Sequence, residues 1–558
     1  MVFQVRWILW ALGVVWVVAH FFCQITKNRG WGEIWAKKNY SCWLFGVSGI
    51  FLVLAFFGKL SQLFCLRLHA QDFWLFVDIL EHLKIEHLKK GGVFLTHFAP
   101  QAVGLVQHGS VHPMLSWGLL APFVWVFGAL PTALFFGPVM LTLAGIFLAL
   151  LTRKNWGELG SLLFMIAFFA STQVGRVLMY EVHPEAAYPC FVLLWLWSMG
   201  WDGGKDGPAR VRWGWLVFSI VVGMGIKEDA FLVFGPLIVW GVVFSSKGMH
   251  GMQKRAAILS LGLATSVFLF QMKAVEAWTH RVWGPQIWEG YPVVVDASAG
   301  LFPGVHWGGF QDVGKIIRSV VSQNSSLGVS WVGWGVVQKI AQFWVSRPWW
   351  SLLILAPWVL LRLEFWWFLL PLACVTSLLE GPRFLWNYYS APFLGSFWFC
   401  AALVPRGAWF QKSFPFFGRA WVLGSALLLG SQGITWEWPT NEVWKTREEV
   451  RLLLNCLDSS LSHSLGGGQG RKGLVASELL GLVPLRQVWS DRFVGWKDSW
   501  EKVDFVLVSS STFGEIAEIK NHLGWQQVGL RCELLDSGNR SELQGRKVFL
   551  FLKKSKKS

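Results

Sequence analysis

The stretch ALFFGPVMLTLAGIFLALLTRK, residues 133–154, decides the fold class. It carries no charge from 133 to 152 and then ends on Arg153 and Lys154. A helix needs about 20 predominantly apolar residues to cross the roughly 30 Å hydrocarbon core of a bilayer. The run therefore predicts a transmembrane helix, and the two cations predict where it meets one water boundary.

The composition extends this prediction to most of the chain. The 558 residues are 54% hydrophobic and only 15% charged, against roughly 25% charged residues in an ordinary soluble domain. With 39 Trp and 45 Phe, a soluble fold would lack the polar residues to cover its surface. The net charge of +16 lies in short clusters between apolar runs, which favours membrane topology signals over a nucleic-acid-binding stripe.

Further apolar runs predict a polytopic α-helical membrane protein with about twelve spans. The predicted spans are 4–23, 42–60, 133–152, 160–178, 186–200, 212–226, 229–244, 256–275, 349–363, 365–379, 389–404 and 419–436. No small-residue cleavage site follows Phe3–Cys23, so we expect it to be a retained anchor. The apolar stretch Met114–Gly128 is broken by Pro122 and followed by Pro131, which predicts a helix lying in the membrane interface.

If these spans alternate in direction, the basic clusters all fall on one side, the cytoplasmic side by the positive-inside rule. Those clusters are Lys27/Arg29/Lys37/Lys38, Arg153/Lys154, Lys205/Arg210/Arg212, Lys247/Lys254/Arg255, Arg362 and Arg406/Lys412. A full span at Met114–Gly128 would invert the direction of every later span and would place Arg153 and Lys154 on the non-cytoplasmic side. The charge pattern therefore supports the interfacial interpretation of that stretch.

We predict two domains, a transmembrane domain over 1–440 and a small soluble α/β domain over 441–558 on the non-cytoplasmic side. The first has large outer loops at 62–132 and 276–346. In the second, 503–509 and 547–552 are strand-like, and 441–457 and 513–523 are helix-like. Whether Cys456 and Cys532 pair stays open.

Candidate functional residues gather on the predicted non-cytoplasmic side. Asp72 and Asp78 follow the second span, and a carboxylate near the membrane boundary is costly unless it meets water, a cation or a partner. The alternative is an ordinary loop carboxylate.

The motif Glu181-Val-His183-Pro-Glu185 lies between two predicted spans. Its carboxylates and imidazole suit a divalent cation or acid–base chemistry, although the spacing matches no zinc signature. The alternative is a helix cap, since Pro184 suits a first turn with Glu185 at its positive end.

The turn Lys227-Glu228-Asp229 joins two further apolar runs. Its lysine could face a phosphate with the acids orienting it or holding a cation, or the three charges could simply neutralise one another.

Several other polar side chains share this predicted side. They are His97, His108, His112, Arg383, Tyr388 and Tyr389. The histidines could be loop hydrogen-bonders, and Arg383 could be a phosphate clamp or a snorkelling cation. The sequence Gly468-Gln-Gly-Arg-Lys-Gly473 matches GxGxxG, but it lies in a Ser/Gly-rich stretch, so we interpret it as a linker.

The order of these motifs resembles a family of bacterial membrane proteins, catalogued as a domain of unknown function and grouped by architecture with the C-type (GT-C) glycosyltransferases. The resemblance rests on Asp72, the His-Pro-Glu motif, the Lys-Glu-Asp turn, Arg383 with Tyr388 and Tyr389, and a terminal α/β domain. It covers residues from about 42 to the end. It implies a bacterial inner membrane location with the terminal domain in the periplasm.

The resemblance also implies transfer from a polyprenyl-phosphate sugar donor. Asp72 takes the place of the superfamily's acidic residue in the first outer loop, with Asp78 as second candidate, although their spacing departs from that of the family. Lys227 and Arg383 would then hold the donor phosphate. Glu181, His183, Glu185, Glu228 and Asp229 would line the acceptor or metal side, where a divalent cation stays open. The alternatives are a membrane transporter or a non-catalytic envelope assembly protein.

Overall fold

The computed structural model describes most of the apolar part of the chain and the strands of the tail. The described residues are 31–64, 70–83, 114–179, 182–201, 211–227, 229–243, 251–279, 356–368, 391–403, 421, 424, 473–475, 488–490, 503–509, 525–528, 542–543 and 546–553. The predicted spans 4–23 and 419–436, apart from residues 421 and 424 of the latter, lie outside this set.

The described residues are mostly helical. The α-helices are α1 (Trp31–Phe64), α2 (Ala70–Glu81), α3 (Ala121–Phe127), α4 (Ala129–Ala170), α5 (Thr172–Met179), α6 (Tyr188–Ser198), α7 (Trp213–Met224), α8 (Ala230–Val243), α9 (Gly251–Thr279) and α10 (Ala391–Ala402). Short 3-10 helices cover Leu115–Leu120, Pro184–Ala187 and Pro357–Leu361. Within this described set, 3 helices are long and apolar enough to cross a membrane, at Tyr40–Leu60, Ala129–Ala170 and Gly251–Ala277.

Helix α4 folds back on itself at Gly157. This glycine has φ 72° and ψ 174°, a backbone conformation that a residue with a Cβ adopts only at a cost. Twelve residues to either side, the two arms pack tightly, because a Cβ on Gly145 would lie 2.4 Å from the ring of Phe169. The arms correspond to the predicted spans 133–152 and 160–178, and Arg153 pairs with Glu158 across the turn.

Helix α1 packs along both arms of this hairpin and fixes their direction. Near its start, Tyr40 hydrogen-bonds Ser161 at 2.9 Å and lies 4.5 Å beneath the Arg153 guanidinium. Further along, the ring of Phe56 stacks on Phe135 at 4.1 Å. Helix α1 therefore runs antiparallel to the first arm and parallel to the second, as the predicted alternation requires.

The Gly157 turn belongs to one end of the bundle, which we call the basic end because Arg153, Arg212 and Lys254 lie there. Contacts between helix termini define it. They are Trp156 Nε1 to the Ala402 carbonyl (2.6 Å), Trp358 Nε1 to the Ala401 carbonyl (3.0 Å), Gln253 Nε2 to the Met199 carbonyl (3.0 Å) and the stacked rings of Trp201 and Phe399 (5.3 Å). Among the described residues, members of three predicted basic clusters thus share one end of the bundle, and the side of the membrane that this end faces stays a prediction.

At the opposite end, which we call the carboxylate end, lie Asp78, Glu185 and Asp229. The 3-10 helix Leu115–Leu120 and α3 cover this end, and the Ser116 amide donates to the Gly225 carbonyl at 2.9 Å. Gly128, with φ 86°, then breaks the helix before α4. The 13 helical residues Leu115–Phe127 are fewer than the about 20 that a full span needs, but so are those of α7, α8 and α10, and the interfacial position of this stretch stays a prediction.

Among the described residues, two of the predicted spans are interrupted. Ser171 adopts an extended conformation, with ψ 140°, and splits the predicted span 160–178 between α4 and α5. Its hydroxyl donates to the Phe168 carbonyl at 2.8 Å, which stabilises the break. In the predicted span 349–363, the described residues include the 3-10 helix Pro357–Leu361, the extended Arg362 (ψ 124°) after it, and the beginning of a helix over 363–368.

The tail contains a mixed six-stranded sheet. Its strands are β1 (Gly473–Val475), β2 (Val488–Ser490), β3 (Phe505–Ser509), β4 (Trp525–Val528), β5 (Glu542–Leu543) and β6 (Arg546–Lys553), in the order β2-β1-β3-β6-β4 with β5 paired to β6. β1 is parallel to β2 and β3, whereas β6 is antiparallel to its neighbours. The strands predicted at 503–509 and 547–552 are confirmed, and the predicted helices lie outside the described residues.

The sheet also bears on the GxGxxG stretch. β1 begins at Gly473, its last glycine. A dinucleotide-binding motif instead follows a strand and opens a helix.

Candidate functional site at the carboxylate end

The His-Pro-Glu motif opens a helix at the carboxylate end. His183 is extended, Pro184 occupies the first turn of the 3-10 helix, and Glu185 follows within that turn. Proline fits this position because its fixed φ suits the turn and the first amides have no helical partner. The carboxylate of Glu185 therefore lies at the positive end of the segment leading into α6.

Glu185 is the buried centre of the site. Its side chain is 1% exposed, and Lys227 Nζ donates to its Oε1 at 2.6 Å. The second oxygen, Oε2, lies 3.4 Å from His183 Nδ1. Burial alone would raise the pKa of the Glu185 carboxyl, but the Lys227 ammonium and His183 outweigh burial and hold the pKa well below its usual range. Glu185 is therefore ionised at neutral pH.

A second bond joins the same two segments. The hydroxyl of Tyr188, which is fully buried, donates to Asp229 Oδ1. Glu185 lies in the 3-10 helix and Tyr188 begins α6, and their partners Lys227 and Asp229 both lie just before α8. The ion pair and this hydrogen bond therefore hold the Lys-Glu-Asp turn against the His-Pro-Glu motif.

Helix α2 contacts the His-Pro-Glu motif through an aromatic side chain. The ring of Phe76 meets the imidazole of His183 edge-on at 5.1 Å and the indole of Trp117 at 4.9 Å. The residue before Trp117 bonds to Gly225, close to Lys227. Three motifs predicted separately thus converge: the Asp-containing helix, the His-Pro-Glu motif and the Lys-Glu-Asp turn.

Both predicted acids of the first outer loop belong to α2 rather than to an irregular loop. Asp72 lies in its first turn. Asp78 is fully buried, with His82 Nδ1 3.9 Å from its Oδ1. The same imidazole nitrogen donates to the Asp78 backbone carbonyl at 2.8 Å. Asp78 is therefore held inside the protein one turn from His82.

The arrangement can hold and orient charge. Within the part of the chain that the structure describes, no three His, Cys, Asp or Glu side chains are grouped closely enough to bind a metal ion. His183 and Glu185 supply two adjacent donors, and the Lys227 ammonium occupies the other side of the carboxylate. The ion pair holds the Lys227 ammonium near the surface, because the Lys227 side chain is 16% exposed.

The remaining predicted site residues lie outside the described residues. They are His97, His108, His112, Glu181, Glu228, Arg383, Tyr388 and Tyr389. Of Asp72, the structure describes the backbone only.

Sequence reasoning missed three side chains at this end. Tyr188 and His82 had a detectable signal, because each follows a predicted acid at helical spacing, three residues after Glu185 and four after Asp78. Lys59 is a charge inside the apolar run 42–60, and its side chain is 1% exposed. An ionisable group within a predicted span is itself a signal of function.

Comparison with solved structures finds weak likenesses. The archaeal oligosaccharyltransferase AglB from Archaeoglobus fulgidus, in complex with an inhibitory peptide and a dolichol-phosphate, is 10% identical, with a TM-score of 0.42 over 84% of this chain and 69% of that chain. The apo form of the Archaeoglobus fulgidus oligosaccharyltransferase gives 10% identity and a TM-score of 0.40 over 83% and 69%. No family model and no curated protein sequence matches. Likenesses at this level identify no activity.

Proposed function

We propose that the protein is an integral-membrane glycosyltransferase that uses a lipid-phosphate-linked sugar donor at the carboxylate end. The observation that supports this most is the convergence of α2, the His-Pro-Glu motif and the Lys-Glu-Asp turn around the buried Glu185–Lys227 pair. Buried ion pairs are costly to build, and ionisable groups at membrane depth usually serve function.

In the proposed reaction, Asp72 acts as the general base. It takes the proton of an acceptor hydroxyl while that oxygen attacks the anomeric carbon of the donor sugar. The bond from that carbon to the phosphate oxygen breaks, and the lipid phosphate leaves. Lys227 and Arg383 stabilise the negative charge that develops on the phosphate.

The remaining side chains have supporting roles in this proposal. Glu185 and Tyr188 position the Lys-Glu-Asp turn, and Asp78 with His82 anchors the helix that carries Asp72. Glu181 and His183 contribute to binding the acceptor. A divalent cation bound there would assist departure of the phosphate.

The proposal is tested with the full chain reconstituted in liposomes. The probes are a panel of synthetic polyprenyl-phosphate donors carrying tritiated hexoses or pentoses, and the readout is release of polyprenyl phosphate. We expect Asp72→Asn to lower the rate by about 100-fold or more, the usual contribution of a general base. Lys273→Gln, which removes an exposed cation from α9 (76% exposed), is the matched control and keeps full activity.

Each outcome separates the candidate functions. Full activity of a correctly inserted Asp72→Asn protein would overturn the assignment of the base. Substrate uptake into sealed vesicles without release of polyprenyl phosphate would favour the transporter. A phenotype that is lost on deletion of 441–558 but unaffected by Asp72→Asn would favour the assembly protein.

A further inference from the structure

A second candidate site lies at the basic end, away from the carboxylate site. An open cleft of about 480 Å³ is lined by residues 211–215, Val211 to Trp215, at the start of α7. None of its lining residues belongs to the glycosyltransferase site proposed above, so it needs an explanation of its own.

Arg212 gives this cleft a positioned cation. Its guanidinium stacks on the indole of Trp197, with Cζ 4.0 Å from the ring centroid, and Nη1 donates to the Trp197 carbonyl at 2.5 Å. Its backbone amide donates to the Ser198 carbonyl at 2.8 Å. A stacked and hydrogen-bonded guanidinium is pre-organised, so little side-chain entropy is lost when it binds an anion.

Two further cations belong to the first turn of α9, which lies next to the end of α6. The side chain of Gln253 donates to the Met199 carbonyl at 3.0 Å, which places the start of α9 next to the end of α6. The next two residues, Lys254 and Arg255, are exposed. Arg212 and Gln253 therefore occupy carbonyls at the end of α6, and Lys254 and Arg255 lie on the exposed side of the neighbouring first turn of α9.

The aromatic side chains at the cleft are exposed. Trp213 and Trp215 are 41% and 50% exposed, and Phe218, one turn further along α7, is 45% exposed. Exposed tryptophans at the end of an apolar helix are typical of the membrane interface, where phospholipid headgroups lie. The cleft therefore combines a positioned cation with exposed indoles of the kind found at the membrane interface.

We propose that this cleft binds the phosphodiester headgroup of an anionic phospholipid in the leaflet at the basic end. Arg212 donates to the phosphate oxygens, and Lys254 and Arg255 add attraction for the net negative charge of the lipid. Trp213 and Trp215 pack against the glycerol and the upper acyl chain. A free phosphate would use the cations but would gain nothing from the two indoles.

The test measures lipid binding to the purified full chain by native mass spectrometry in detergent. The probes are dioleoyl phosphatidylglycerol, dioleoyl phosphatidylcholine and inorganic phosphate. We expect phosphatidylglycerol to bind at least about 25-fold more tightly than phosphatidylcholine, about fivefold for each of the two exposed cations. We expect Lys254→Gln/Arg255→Gln to weaken phosphatidylglycerol about fivefold for each charge removed and to leave phosphatidylcholine unchanged.

Two variants guard the interpretation. Arg212→Gln tests the central cation, and the Lys254→Gln/Arg255→Gln pair covers the case in which Arg212→Gln fails to fold, because both of those side chains are exposed. Lys273→Gln removes a cation from the other end of the same helix and should have no effect. Equal binding of the two lipids, unchanged binding in the double variant, or inorganic phosphate competing as strongly as the lipid would overturn the proposal.

Discussion

Replacing Lys227 by methionine should strongly destabilise the protein, because it leaves the Glu185 carboxylate buried without its cation. The two side chains are 16% and 1% exposed, so water can do little to compensate. Removing one partner of a buried ion pair costs about 3–5 kcal/mol. We expect about 3 kcal/mol, the low end, because His183 Nδ1 remains 3.4 Å from the carboxylate.

The measurement is reversible unfolding in mixed micelles by increasing SDS, followed by tryptophan fluorescence. Lys273→Met provides the matched control. In the wild-type protein Lys273 pairs with Glu276 at 2.5 Å, but the Lys273 side chain is 76% exposed. An exposed pair of this kind contributes at most about 1 kcal/mol. A double-mutant cycle with Glu185→Gln should give a coupling energy above about 1.5 kcal/mol, since residues in one ion pair are not additive.

The dependence on pH provides an independent check. In the wild-type protein the pKa of Glu185 is held low, so the pair stabilises the fold at and above the ordinary carboxyl pKa and is lost only well below it. In Lys227→Met, burial is opposed by His183 alone, which we expect to raise the pKa above its unfolded value. The variant should then regain stability as the pH falls from neutral to about 4.3, the ordinary carboxyl pKa, because the buried carboxyl is protonated within that range.

A destabilisation below about 1 kcal/mol, an additive double mutant, or a deficit that does not change with pH would refute this account of the pair. Full stability with normal folding would also mean that Glu185 finds another partner once Lys227 is removed.

Two further substitutions test the packing and the second bond at the site. Gly145→Ala should cost about 1–3 kcal/mol in the same SDS titration, because its Cβ would lie 2.4 Å from a ring carbon across the hairpin, whereas Gly137→Ala, with nothing within 4 Å, should be neutral or stabilising by up to about 1 kcal/mol. Tyr188→Phe removes the donor to the Asp229 carboxylate and should cost about 1.5–3 kcal/mol; Tyr40→Phe, which loses a bond to a neutral hydroxyl, should cost about 1 kcal/mol. Equal effects within either pair would contradict the reasoning.

The direction of the helices could be predicted from charge alone. Arg153 and Lys154 cannot lie in hydrocarbon without a large cost, so they mark a water boundary, and each later basic cluster marks the same one. The break at Ser171 could not be predicted in this way. Serine is tolerated inside transmembrane helices, and no glycine or proline is adjacent to it in the sequence to signal the extended conformation that it adopts.

The composition of the site could be predicted, but its pairing could not. His183, Glu185, Lys227 and Asp229 all stand out as polar residues between apolar runs. The sequence carries no distance across the 42 positions that separate Glu185 from Lys227. It therefore suggested separate roles in acceptor and phosphate binding, whereas in the structure these two side chains form a single ion pair.

The indoles that bond to the end of α10 suggest a further use for the abundant tryptophan of this chain. The last carbonyls of a helix normally find their donors in water. Here Trp156 and Trp358 supply those donors to Ala402 and Ala401. An indole donates a single hydrogen bond and accepts none, so it satisfies a carbonyl without needing a water molecule as a further partner. A helix finished in this way can end at a depth set by its neighbours rather than by the position of the water.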